Sequence, residues 1–238
     1  MKSVLISNLP KWCGKICHEI GKDENGKPIY EKSIEVRKGR PSEVPFRCLI
    51  YATKPKKWYK SGPLLISDES LWLVNGKVKM CDGLELWADS VENYHCLNGK
   101  IIGEFICDKV YNIEPIFSFY DCYSGYDDSS DSSYFENYSI DNERLKKTCL
   151  TIQDLYIYGE GKTLYGWHIS DLKIYDKPKE FSEFNRPCPS KNHNCEPCIR
   201  YGKPYTWDFD EKTGKIFCSR RVTRPPQSWM YVEEIETR

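Results

Sequence analysis

Three charged residues stand close together in the run Lys32-Ser33-Ile34-Glu35-Val36-Arg37. Successive side chains of a strand point to opposite faces, so with Ile34 and Val36 turned to a core, Glu35 and Arg37 share the other face. Lys32, at the turn just before, swings to the same side. A lysine, a carboxylate and an arginine converging there can bind a phosphate or a base, or move a proton. The competing reading is an exposed strand face laced by cross-strand ion pairs, and residue types alone favour it.

A second set of residues has ligand chemistry. Cys188, Cys195 and Cys198 lie close in sequence, with His193 among them, and Cys218 follows twenty residues after Cys198. The stretch from Tyr205 to Phe217 between them reads as a hairpin. A Cys-x-x-Cys knuckle followed by a hairpin that returns a further cysteine is the pattern of a zinc ribbon. Four thiolates close a tetrahedral site, so such a zinc is structural, with no open position for water. His193 is an alternative ligand, and reduced, unliganded thiols are the alternative state. The other cysteines, Cys13, Cys17, Cys48, Cys81, Cys96, Cys107, Cys122 and Cys149, are scattered and read as small core side chains in a reducing compartment.

His18, His95, His168 and His193 are isolated, so no catalytic histidine pair stands out. His168 follows Trp167 and therefore faces the opposite way, out to solvent or into a cleft. Trp12, Trp167 and Trp229 can stack a base, although tryptophan in a small domain is more often core.

The elements that must position these residues are short strands. Residues 2–7 form the first. Pro10 opens a helical pattern with Trp12, Ile16 and Ile20 at helical spacing, and residues 21–28 are a polar, turn-rich insert. Strands are predicted at 32–37 and 46–52, a hairpin with an Asn75-Gly76 turn at 71–80, and a strand at 100–110. Residues 119–143, rich in Ser, Asp and Tyr, read as a mobile loop. Thr151 caps a helix over 151–158 that closes near Gly159. In 163–175 the apolar phase shifts at Ser170-Asp171, the mark of a bulged strand. Residues 225–232 form the last strand. The fold class is α+β: a compact sheet or partly closed barrel with one or two short helices and long insertions.

With 39% hydrophobic and 14% aromatic residues the chain builds a real core. Residues 1–184 and 222–238 read as one core domain with polar insertions near 21–30, 61–98 and 119–143, and 185–221 as a Cys-rich, zinc-binding insertion. No apolar run reaches the ~20 residues of a membrane helix, and the short apolar start is not a signal peptide. The expected compartment is the cytoplasm, with no membrane partner. Net charge is zero but unevenly spread: residues 1–61 hold 14 bases against 6 acids, 121–143 hold 7 acids and no base, and 177–224 hold 11 bases against 6 acids. Two basic regions flanking an acidic loop suit a protein that attracts phosphates, and equally a mixed solvated surface.

Pro10-Lys11-Trp12, the helix that follows and Lys32–Arg37 resemble the signature of the ASCH family, a branch of the PUA-like fold. That signature reads Gly-x-Lys-x-x-Glu-x-Arg, preceded by a proline and an aromatic. With Gly166–Leu172 and Arg224–Trp229 the chain is similar to ASCH-domain proteins of phages and prophages in low-GC bacteria. The likeness covers about residues 1–20, 31–54, 98–113, 147–184 and 222–235. It implies a small PUA-like β-barrel and a cleft lined by Lys32, Glu35 and Arg37, with Trp12 and Trp167 as further ligand-binding candidates. It also implies RNA or a modified nucleoside as ligand, with DNA as the other polymer. Some ASCH-like enzymes deacetylate N4-acetylcytidine with the signature lysine and a threonine where this chain has Glu35; ribonuclease activity is attributed to others. The signature glycine slot holds Tyr30.

Three functions follow as expectations. The first is a binding module for RNA or a modified nucleoside. The second is a hydrolase with Lys32 and Glu35 as catalytic residues, acting on an acylated base or on RNA. The third is a phage interaction protein whose acidic loop 121–143 binds a host factor.

Overall fold

The computed structural model describes residues 3–54, 59–61, 64–66, 70–81, 94–119, 133–187, 207–210, 215–218 and 222–234. The fold is mixed α+β and strand-rich, with three α-helices among the described residues, one more than the sequence reading allowed. None of these helices is long and apolar enough to cross a membrane. The chain divides into two compact units, residues 1–17, 46–105 and 171–238 in the first, and 18–45 and 106–170 in the second.

The first unit is built on a six-stranded sheet in the order Ser170–Lys179, Ile101–Cys107, Phe46–Ala52, Ser3–Asn8, Trp229–Glu234, Phe184–Asn185. Ser3–Asn8 pairs parallel with Phe46–Ala52 and antiparallel with Trp229–Glu234. Leu5, Leu49, Ile101, Phe184, Val222 and Val232 form its core. The helix Pro10–Cys17 starts on proline, whose missing N–H would be unsatisfied at that position anyway. It buries Ile16 but stops before Ile20, which lies exposed in the strand Glu19–Lys22. The predicted hairpin is present as Ser70–Val74 and Lys77–Cys81. Asn75 and Gly76 both take positive φ, 51° and 74°, as the tight turn that matches strand twist requires. A third strand, Tyr94–Cys96, joins it. Asn98, in the further pair Asn98-Gly99, does a different job: it accepts from the Leu71 N–H at 2.7 Å and donates to the Thr53 carbonyl at 3.2 Å, tying three segments together.

The second unit is a four-stranded antiparallel sheet in the order Ser133–Ser139, Val110–Phe119, Leu164–His168, Ile34–Arg37. Each strand order has two ends, so neither of these described sheets closes on itself into a barrel. Val36, Ile113 and Leu164 pack with Tyr138, Leu155 and Leu145, the last two from the helices Ile152–Gly159 and Asn142–Thr148. Part of the predicted loop 119–143 is therefore ordered, as the strand Ser133–Ser139 and the start of a helix; residues 120–132 lie outside the described residues. Thr151 caps its helix as expected, in a reciprocal box with Asp154. The helix continues through Gly159, and the left-handed cap falls on Glu160 at φ 53°. Gly159 is needed for space instead: a β-carbon there would sit 1.7 Å from the Tyr138 hydroxyl oxygen, which donates to the Lys162 carbonyl. The polar insert near 21–30 is a hairpin, Glu19–Lys22 with Pro28–Tyr30, whose turn is held by two N–H bonds to the Asp23 carboxylate. In place of one bulged strand over 163–175 there are two strands of different sheets, Leu164–His168 and Ser170–Lys179, and Asp171, where the apolar phase shifts, has φ 47°.

Candidate functional site

The strand Ile34–Arg37 is buried along its whole length, charged residues included. Lys32, Glu35 and Arg37 expose only 2%, 5% and 6% of their surface. That overturns the solvent-exposed reading of this face. Glu35 sits between the two cations, with Oε1 2.9 Å from an Arg37 terminal nitrogen and Oε2 3.5 Å from Lys32 Nζ. Burying three charges is expensive, and the pairs hold them only because each cation meets the carboxylate.

Lys32 has a second task. The last four carbonyls of a helix lack partners within it, and for Asn142–Thr148 all four are met. Leu145 O accepts from Thr148 Oγ1 at 2.6 Å, and Lys146 O from the Cys149 N–H at 3.0 Å. Lys147 O accepts from the Ser33 N–H at 3.0 Å, and Thr148 O from Lys32 Nζ at 2.6 Å. A cation at a helix C-terminus is also favoured by the helix dipole. Lys32 therefore joins the helix end to the strand that carries Glu35. Burial pulls its ammonium below the ordinary lysine value, and Glu35, then Cys149, work against that pull.

Strand register decides what else shares the face. Glu35 lies directly across from Trp167, and Arg37 from Tyr165. On the far side of that strand Val110 lies across from Trp167 and Asn112 from Tyr165. Residues opposite one another in an antiparallel pair point the same way, so one face carries Glu35, Arg37, Trp167, Tyr165, Val110 and Asn112. Trp167 is fully buried. His168 points to the other face, where Nδ1 is 2.6 Å from Asp108 Oδ1. The sequence pointed to Trp167 but not to Tyr165; the two-residue spacing between them was the available signal. Asp108 as the partner of His168 had none, since sixty residues separate them.

The remaining candidates belong to the first unit or fall outside the described residues. Trp12 belongs to the first unit, in the helix Pro10–Cys17, with Lys11 Nζ 4.6 Å from its ring. Trp229 lies in the first unit too, edge-on to Tyr231 with ring centres 5.5 Å apart. Cys188, Cys195, Cys198 and His193 lie outside the described residues. Cys218 ends the strand Lys215–Cys218, which forms the expected hairpin with Trp207–Asp210. Among the described residues no three metal-ligating side chains gather.

Chemically, the triad offers two cationic donors around one anionic acceptor, beside a buried indole. Such a row complements the donor and acceptor edge of a nucleobase, and an aromatic face offers stacking surface. A lysine pulled below its usual value is also the state in which lysine serves as a base. Comparison with known protein families, curated proteins and solved structures found no match.

Proposed function

We propose that this chain binds a nucleoside of RNA, plain or modified, through Lys32, Glu35 and Arg37. One observation carries the reading: Glu35 and Arg37 are buried on the same sheet face as Trp167, and the buried Lys32 pairs with Glu35. Buried ionisable groups with a shifted proton affinity, as Lys32 has, cluster at functional sites. The resemblance to ASCH proteins supports the same residues and adds a PUA-like core as the fold proposal, with the cytoplasm as compartment. Titration of the protein with the four ribonucleosides and a panel of base-modified ones, followed by calorimetry, tests it. Saturable binding to one of them, weakened at least tenfold by Arg37→Lys, is the expected result; a bidentate guanidinium contact does not survive that exchange. No saturable binding to any member of the panel overturns the reading.

A hydrolase using the same site is the second reading, and the lowered Lys32 value favours it. Lys32 then takes a proton from the water that attacks the acyl carbon and returns it to the base nitrogen as the acyl–nitrogen bond breaks, releasing the free acid and the base, while Glu35 and Arg37 hold the substrate. Mass spectrometry of acylated nucleosides before and after incubation separates the two, with Lys32→Ala as the inactive control.

A further inference from the structure

The face that carries the triad is not uniformly buried. Trp167 and Glu35 are closed off, Tyr165 two residues along is half-buried, and Asn112 across from Tyr165 is exposed. Exposure therefore rises in one direction, from Glu35 past Arg37 toward the end of the strand. At that open end stands Arg40, exposed, with Cζ 5.7 Å from the centre of the Tyr165 ring. This is within range of a cation–π contact, which holds a guanidinium in place without using its N–H groups. Pro41 follows it and restricts the Arg40 backbone to extended conformations.

Arg40 differs from its neighbour in one decisive respect. Lys38 spends its charge on Glu160 at 3.0 Å. Arg40 makes no ion pair with a carboxylate among the described residues. An oriented guanidinium whose N–H fork meets no carboxylate among the described residues, next to a site that takes a base, matches a phosphate oxygen pair. Two residues of strand separate the Trp167–Glu35 pair from the Tyr165–Arg37 pair, about 7 Å. That step suits the span from a base to its ribose phosphate.

Resting on the nucleoside reading above, we infer that the ligand enters with its base toward Glu35 and its ribose-linked phosphate against Arg40 and Tyr165. The ligand class is then a nucleotide, free or within an RNA strand, rather than a nucleoside. The cationic fork supplies affinity that a bare nucleoside cannot use. The sources are separable, because a free nucleotide ends in a phosphate monoester and a strand passes a diester through the same place.

Calorimetric titration of the full chain with a ribonucleoside, its 5′- and 3′-monophosphates and the corresponding dinucleotide tests this, in wild type and in Arg40→Ala. The phosphate should tighten binding about tenfold at low salt, and the gain should shrink at high salt. Arg40→Ala should erase that gain and leave nucleoside affinity unchanged, with an unaltered thermal melt. A gain for monophosphates alone assigns the free nucleotide; a gain for the dinucleotide assigns the strand. Equal affinity for nucleoside and every phosphate form overturns the inference while leaving nucleoside binding intact. A phosphate gain that survives Arg40→Ala overturns it as well. Failure of all four ligands to bind overturns the nucleoside reading and this inference together.

Discussion

Replacing Glu35 by glutamine keeps the shape of the triad and removes its only negative charge, which leaves Lys32 and Arg37 as buried like charges. The gross attraction lost is large: at 2.9 and 3.5 Å each pair amounts to about 5 kcal/mol at an effective dielectric constant near 20. Desolvation of the same groups already offsets most of this, so the net cost follows the usual range for breaking a buried pair, about 3–5 kcal/mol. In a chain of this size that lowers the melting temperature by roughly 6–20 °C. Lys32→Met acts differently. It removes one cation, leaves the neutral Glu35–Arg37 pair, and loses the bond to the Thr148 carbonyl, for about 1–3 kcal/mol. The order of losses should therefore be Glu35→Gln well above Lys32→Met. Lysine has an escape that arginine lacks: with Glu35 gone, Lys32 sheds its proton. Its folded value is already below the unfolded one of about 10.4. The unfolded chain then binds more protons in the window below that value, so stability rises with pH there. Denaturant melts at pH 7 and pH 9 should show the Glu35→Gln deficit shrinking at the higher pH, with no such recovery in Lys32→Met. Equal losses in the two variants, or a Glu35→Gln deficit that ignores pH, would refute the paired, buried triad.

Two further outcomes follow. Gly159→Ala pits helix propensity, worth about 1 kcal/mol in favour of alanine, against a β-carbon driven to 1.7 Å from the Tyr138 hydroxyl oxygen and 2.3 Å from its ring carbon Cζ. Overpacking of a buried ring costs about 1–3 kcal/mol or more, so the melting temperature should fall; a rise would mean that Tyr138 does not fill that space. The cysteine set Cys188, Cys195, Cys198 and Cys218 is proposed to hold structural zinc, and elemental analysis of the purified chain should find about one zinc ion. Folded, metal-free protein would end that proposal.

Much of the local structure was legible because local rules made it so. The Asn75-Gly76 turn, the Thr151 cap and the strand Phe46–Ala52 each depend on residues within a few positions of one another. The change of apolar phase at Ser170-Asp171 marked an interruption, although it separates two strands rather than bulging one. One failure was also local in origin: Ile20 keeps helical spacing with Ile16, yet the chain turns into a hairpin strand. The helix does close at Gly159, although the left-handed cap falls on Glu160 and the glycine also admits the Tyr138 ring.

For the site, the sequence by itself determined which three charges stand together, and that Glu35 and Arg37 share a side, because side-chain alternation along a strand is a property of the chain. It also put Tyr165 and Trp167 on a common side for the same reason. Only the tertiary structure decided that this side is buried and that the two pairs face each other in register. It alone brought the Thr148 carbonyl to Lys32 across 116 residues. Alternation is local geometry, whereas burial and register depend on which distant strand and helix pack against the segment, and no spacing within six residues encodes that.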